Sequence, residues 1–300
     1  MPNTVPTAVL SMTGQSIWLD NITRAMLGGQ LQKYIAEWSV VGLTSNPTIF
    51  AKAISGSKDY DAQVAELSAK GMKEEDVFFA VAIDDLSRAC DLFAGVHART
   101  GGVDGWCSLE VSPLLAYDAT STVEQAVALH ARAAKPNLFI KVPGTAAGLP
   151  AIEELTFRGI PINVTLLFDT AHYLAAADAY LRGLERRVAA GKSPVVAGVA
   201  SLFISRWDAT LDAKLPANLK NRVGRRSVPT RTRRTWSCIR RRAGWRCRRR
   251  ARVRSGSSTR APAPRTRSSR RRSTWRASLR RSRSTPCPRQ RCRRSTRTVP

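Results

Sequence analysis

Asn137-Leu138-Phe139-Ile140-Lys141-Val142-Pro143-Gly144-Thr145 is a short apolar run that holds one lysine and closes on Pro-Gly. A run of this length between turn residues reads as a buried strand. A strand buried on both faces offers an ammonium group no water. Desolvation disfavours the charged form, and the free amine is a nucleophile that can form a Schiff base with a ketone. The competing reading is a lysine at a strand end, paired with a carboxylate or reaching out to water. The stretch alone leaves both open.

Working outward, strand and helix alternate. Ser16–Asp20, Val40–Thr44, Trp106–Val111, Ile162–Phe168 and Val195–Ile204 read as five further strands. Between them the apolar spacing predicts helices. One starts at Asn21 and carries Met26, Leu27, Leu31, Tyr34 and Ile35; short helical pieces fill 51–72; a long helix runs from Glu74 to Phe93. Others open at Ser121 and Thr122, span Ala147–Phe157, and span Ala171–Ala189. Met1–Gln15 is small and polar and reads as a flexible end.

Six such units predict a parallel sheet with helices outside it, either an open doubly wound sheet or most of an eight-stranded barrel. No GxGxxG follows the first strand and no GxxxxGK[ST] occurs, which counts against nucleotide binding in an open sheet. Polar residues decide between the two. Asp20, Asn46, Lys141 and Arg206 fall at or just past strand ends, and Glu110, Thr165 and Ser201 within or near them. In a barrel all strand C-termini face one mouth, so these side chains converge there. Convergence is hard to explain as packing, and it favours a chemical role for Lys141.

The formal net charge is +27, but it is uneven. Residues 225–300 hold 29 Arg and no Lys, Asp or Glu, leaving 20 basic and 22 acidic residues in 1–224, a net of −2. Cys90 and Cys107 fit reduced-thiol usage in a cytoplasmic protein, and the four other cysteines (Cys238, Cys247, Cys287, Cys292) form no CxxC pair. His97, His130 and His172 fall on or beside helices and read as structural. No signal peptide and no membrane span are expected.

The body, roughly residues 14–224, resembles a transaldolase. The resemblance rests on Ile17-Trp18-Leu19-Asp20-Asn21, Thr44-Ser45-Asn46-Pro47-Thr48-Ile49, Ser108-Leu109-Glu110-Val111-Ser112, Phe139-Ile140-Lys141-Val142-Pro143, Asn163-Val164-Thr165-Leu166-Leu167-Phe168 and Ala200-Ser201-Leu202-Phe203-Ile204-Ser205-Arg206. It implies an α/β fold, a TIM (β/α)8 barrel of the class I aldolase type. It also implies a pentose phosphate pathway reaction that moves dihydroxyacetone from sedoheptulose 7-phosphate to glyceraldehyde 3-phosphate, without cofactor or metal. The implied roles are Lys141 as Schiff-base former, Asp20 as acid/base, and Glu110 and Thr165 as holders of the water that makes and breaks the imine. Asn46, Asn163 and Ser201 would bind substrate hydroxyls, and Arg206 the phosphate. Another Schiff-base aldolase acting on a sugar phosphate is the alternative of the same chemistry.

After Gly224 the family pattern stops. The following 76 residues hold no Lys, Asp, Glu, Asn, Phe, Tyr, Met or His. Such a segment cannot bury enough apolar surface to offset its chain entropy, which predicts disorder. An arginine-rich tail can bind nucleic acid without sequence preference. The absence of lysine, and the residue types with GC-rich codons, instead favour an out-of-frame translation. On this reading the tail stands where the last two barrel strands belong. The expected domains are a flexible 1–15, a six-unit barrel over 16–224 and a disordered 225–300. A barrel short of two strands is expected to fold poorly and to have little activity.

Overall fold

The structure is a computed structural model that describes residues 5–224. The expectations for residues 225–300, including disorder, nucleic-acid binding and the frame of translation, lie outside the described residues.

Six strands form one parallel sheet in chain order: β1 (Ile17–Leu19), β2 (Val40–Thr44), β3 (Trp106–Glu110), β4 (Leu138–Pro143), β5 (Ile162–Leu167) and β6 (Gly198–Leu202). Among the described residues β1 and β6 each pair on one side only. Burial follows that arrangement. All of β4 is buried, whereas β1 is half-buried throughout and β6 half-buried to exposed.

The sheet curls. Trp18 on β1 and Phe139 on β4 bring their rings to 6.2 Å, and Trp106 on β3 stacks on Phe139 at 4.1 Å. β1 and β4 are three ladder steps apart, about 14 Å in a flat sheet at ~4.8 Å per step. The rings meet only because the face bearing them is concave. Residues paired across a parallel ladder point to the same face. The register Trp18↔Gly42, Gly42↔Trp106, Ser108↔Phe139, Glu110↔Lys141, Lys141↔Asn163 and Pro143↔Thr165 therefore places all of these on the inner face. Aromatic rings fill its lower level, and polar groups occupy the level nearer the strand C-termini. Gly42 makes the lower level possible, because a Cβ there would lie 2.5 Å from the Trp18 ring.

Helices cover the outer face. They are α1 (Pro6–Met12), α2 (Gln30–Glu37), α3 (Pro47–Ser55), α4 (Asp61–Ala69), α5 (Glu74–Arg99), α6 (Ala119–Ala133), α7 (Leu149–Arg158), α8 (Thr170–Ala189) and α9 (Ser205–Leu211). Their ends follow local chemistry. Asn46, Asp118 and Asp169 accept from the backbone N–H of Ile49, Ser121 and His172, capping α3, α6 and α8. α5 carries Glu74, Glu75 and Asp76 in its first turn and Arg99 in its last, each matched to the helix dipole. Its buried stripe, including Ala82, Leu86, Cys90 and Phe93, packs in one core with Leu43, Cys107 and Leu109. Each fully buried Leu or Phe there contributes about 1.5–3 kcal/mol.

Residues 6–12, within the end expected to be flexible, form α1, with Pro6 at its first turn and no buried residue. Two local expectations need correction. The helix expected from Asn21 is instead a 3₁₀ turn (Ala25–Gly28) and then α2, broken at Gly29, whose φ of 141° no helix accommodates. The helix expected to end at Phe93 continues to Arg99. His97, His130 and His172 lie on α5, α6 and α8 as expected.

Candidate active site

Lys141 stands in the middle of β4, on the inner face, with 6% of its surface exposed. Its Nζ donates to the Ser45 carbonyl at 3.2 Å and lies 3.1 Å from Glu110 Oε2. The structure thus combines two readings that the sequence offered as alternatives: the amine is buried, and it has a carboxylate partner. The contact with Ser45 reaches from β4 past β3 to the residue after β2, which the curl alone allows.

Glu110 ends β3 and pairs in register with Lys141. Burial pushes its carboxyl above the ordinary range, the Lys141 charge pulls it back, and the charge of Asp20 adds to the upward push. Asp20, one residue beyond β1 and exposed, is therefore within electrostatic reach of Glu110. Glu110 Oε2 is buried against Lys141 Nζ. A carboxylate oxygen has two lone pairs, so beside the ammonium it can also accept from a hydroxyl or a water.

Asn163 is the hub of a second group. Its Nδ2 donates to Ser108 Oγ on β3 at 3.1 Å, and Ser201 Oγ on β6 donates to its Oδ1 at 2.8 Å. Ser108 and Asn163 are buried. The chain Ser201–Asn163–Ser108 spans β6, β5 and β3 and fixes the amide orientation. Thr165, also on β5 and 1% exposed, pairs in register with Pro143, and its carbonyl accepts from Gly144 N–H at 2.7 Å.

Two expected site residues sit differently. Asn46 spends its Oδ1 on capping α3, so only its amide N–H groups remain for a ligand. Arg206 is on the first turn of α9, exposed, with no ion pair among the described residues. A separate apolar cavity of about 330 Å³ lies between α3, α4 and α5, against Ile54, Val64, Met72, Val77 and Phe78, and none of the eight site residues lines it. Among the described residues no group of three or more His, Cys, Asp and Glu could hold a metal ion, and no helix is long and apolar enough to cross a membrane.

A family model described as Transaldolase/Fructose-6-phosphate aldolase matches residues 17–250, a span that includes every one of these positions. The chain belongs to the transaldolase/fructose-6-phosphate aldolase family. The match runs past Gly224, where the family pattern had seemed to stop. A protein named transaldolase from Renibacterium salmoninarum is 45% identical over 216 residues, 71% of this chain and 58% of its own length. One from Mycobacterium tuberculosis strain H37Rv is 44% identical over 223 residues, 74% and 58%. The chain therefore spans a little over half the length of the curated relatives it matches.

Within this transaldolase-family chain, sequence reasoning missed Ser45 and Ser108. Both lie inside quoted motifs. Ser45 follows β2 and acts through its backbone carbonyl, for which a side chain carries no signal. For Ser108 the signal was available: it sits two residues before Glu110, hence on the same face of β3.

Proposed function

We propose that this chain carries the Schiff-base site of a transaldolase, built on six of the eight βα units of a (β/α)8 barrel, with the tail from residue 225 in place of the last two. The observation that carries the reading is the buried Lys141 amine held against Glu110 on the concave face, within reach of Asp20 and beside a hydrogen-bonded Ser–Asn–Ser chain.

The steps follow from the groups present. Lys141 Nζ attacks the ketone carbon of sedoheptulose 7-phosphate, and the carbinolamine loses water to give an iminium ion. Glu110, pushed up by burial and 3.1 Å from Nζ, takes the amine proton and returns it to the leaving hydroxyl. Thr165 helps to hold that water. Asp20 removes the proton of the hydroxyl beyond the scissile bond. The C–C bond breaks, its electron pair enters the iminium, and erythrose 4-phosphate leaves. The resulting enamine adds to glyceraldehyde 3-phosphate while Asp20 returns the proton, and water frees fructose 6-phosphate. Asn46, Asn163 and Ser201 bind substrate hydroxyls. Arg206, exposed at the strand C-terminal side, takes the phosphate. The lysine is the electron sink, so the chemistry asks for no further cofactor.

The test is acceptor dependence. A transferase releases free dihydroxyacetone slowly from fructose 6-phosphate alone and turns over when erythrose 4-phosphate is added. Rapid release of dihydroxyacetone without an acceptor assigns the chain to the aldolase branch. No adduct with either ketose phosphate contradicts both.

A further inference from the structure

Asp20 lies outside the β1 ladder, whose last pair is Leu19↔Leu43, and no regular element holds it. Four residues later the chain enters a polar cluster that the reaction above does not use. The Arg24 backbone N–H donates to Tyr60 Oη at 2.9 Å, and Tyr60 Oη donates to Asp85 Oδ2 at 3.0 Å. The Arg24 side chain donates from Nε to Asp85 Oδ1 at 2.9 Å, from Nη1 to the Asp59 carbonyl at 3.1 Å and from Nη2 to Gln63 Oε1 at 2.6 Å. Its guanidinium also lies 4.5 Å from the Tyr60 ring centre. Tyr60 and Asp85 are fully buried. Ile22, between Asp20 and Arg24, is fully buried in the core.

Resting on the transaldolase reading, we infer that Arg24, Tyr60 and Asp85 are positioning residues for Asp20. The six residues from Leu19 to Arg24 are tied at three points: the ladder, the Ile22 side chain and this cluster. The cluster draws on α4, α5 and the turn before α4, so Asp20 is located by the outer helices as well as by the sheet. The Tyr60 hydroxyl is the link that reaches the backbone. It accepts the Arg24 N–H and is itself oriented by Asp85. Without it, the Arg24 side chain still pairs with Asp85, but the backbone after Asp20 loses its anchor. A carboxylate displaced by about 1 Å loses up to about a hundredfold in proton transfer.

The experiment uses the full chain with fructose 6-phosphate in single turnover. It measures two quantities: borohydride-trapped adduct on Lys141, and release of glyceraldehyde 3-phosphate. Tyr60→Phe is expected to leave the adduct within about twofold and to slow release about ten- to a hundredfold. The retained adduct also reports that the variant folds. In an Asp20→Asn background, Tyr60→Phe is expected to slow the residual release no further, because the residue it positions is already gone. Equal slowing in both backgrounds, or no slowing in either, overturns the inference and makes the cluster purely structural. An adduct on the unsubstituted chain with no aldehyde released overturns the transaldolase reading, and the inference with it. Absence of the adduct from the unsubstituted chain overturns the transaldolase reading, and the inference with it.

Discussion

Lys141 and Glu110 occupy paired positions of the β3–β4 ladder, with Nζ and Oε2 3.1 Å apart on the concave face of the sheet. Burial pushes the Glu110 carboxyl up, and the charge and hydrogen bond of Lys141 pull it back, so the proton of the pair is finely shared between the two groups.

Glu110→Gln is expected to slow formation of the Lys141 adduct by about 10²–10⁴-fold, the usual range for loss of a general acid/base. The pH profile gives the sign. Glu110 must be ionised to take the amine proton, and burial holds its pKa above the ordinary range. The rate should rise with pH through that raised value, and the Gln variant should lack this limb. Stopped trapping across a pH series measures it.

Asn163→Ala cuts the Ser201–Asn163–Ser108 chain and leaves two hydroxyls without their partner. Losing hydrogen bonds of this kind removes about 1–3 kcal/mol of stability. Binding of a ketose phosphate is expected to weaken about tenfold, the equivalent of ~1.4 kcal/mol, if the same amide also holds a substrate hydroxyl. Calorimetric titration with a Lys141→Met chain, which binds without reacting, reads the binding change alone.

Arg24→Ala removes the nearer of two cations beside the buried Asp85, leaving Arg88 Nη1 at 3.9 Å. Arg24 keeps 17% of its side-chain surface, so the cost falls at the low end of the range for breaking a buried pair, about 3 kcal/mol. Burial already raises the Asp85 pKa, and the Arg24 charge and hydrogen bond pull it down. A raised native pKa means the folded state holds the proton more tightly than the unfolded chain. That contribution is present below the ordinary carboxylate value and lost as pH rises through the raised one. Without Arg24 the native value climbs further. The deficit of the variant is therefore larger at neutral pH than in acid, and urea unfolding at several pH values checks it.

Gly42→Ala sets a methyl group 2.5 Å from the Trp18 ring, which cannot give way without disturbing Phe139. Overpacking of this kind costs about 1–3 kcal/mol. The near-ultraviolet circular dichroism of the Trp18–Phe139–Trp106 group should change with the melting temperature.

Much of this was legible in the residues. The alternation of apolar runs with 3.6-period stretches yields six strands in the right places, and the turn residues bound Leu138–Pro143 to within a residue or two. Lys141 was legible because one charge in an apolar strand demands an explanation. The Arg24–Tyr60–Asp85 cluster was not, because its members lie 36 and 61 positions from Arg24 and meet only through packing of α4 and α5. Arg24 in sequence is one arginine in the first turn of an expected helix. Asn46 shows the opposite difficulty: its motif suggested substrate binding, and local chemistry had already committed its carbonyl oxygen to a cap. Residues 6–12 carried too weak a period over seven positions to signal α1.

The central claim is that Lys141 forms the covalent intermediate. The most direct measurement is borohydride reduction of the full chain in the presence of fructose 6-phosphate or sedoheptulose 7-phosphate, followed by peptide mapping. The account predicts a reduced three-carbon or ketose phosphate adduct on the peptide containing Phe139-Ile140-Lys141-Val142, lost in Lys141→Met. No adduct with either sugar, or one carried by a different lysine, would contradict it.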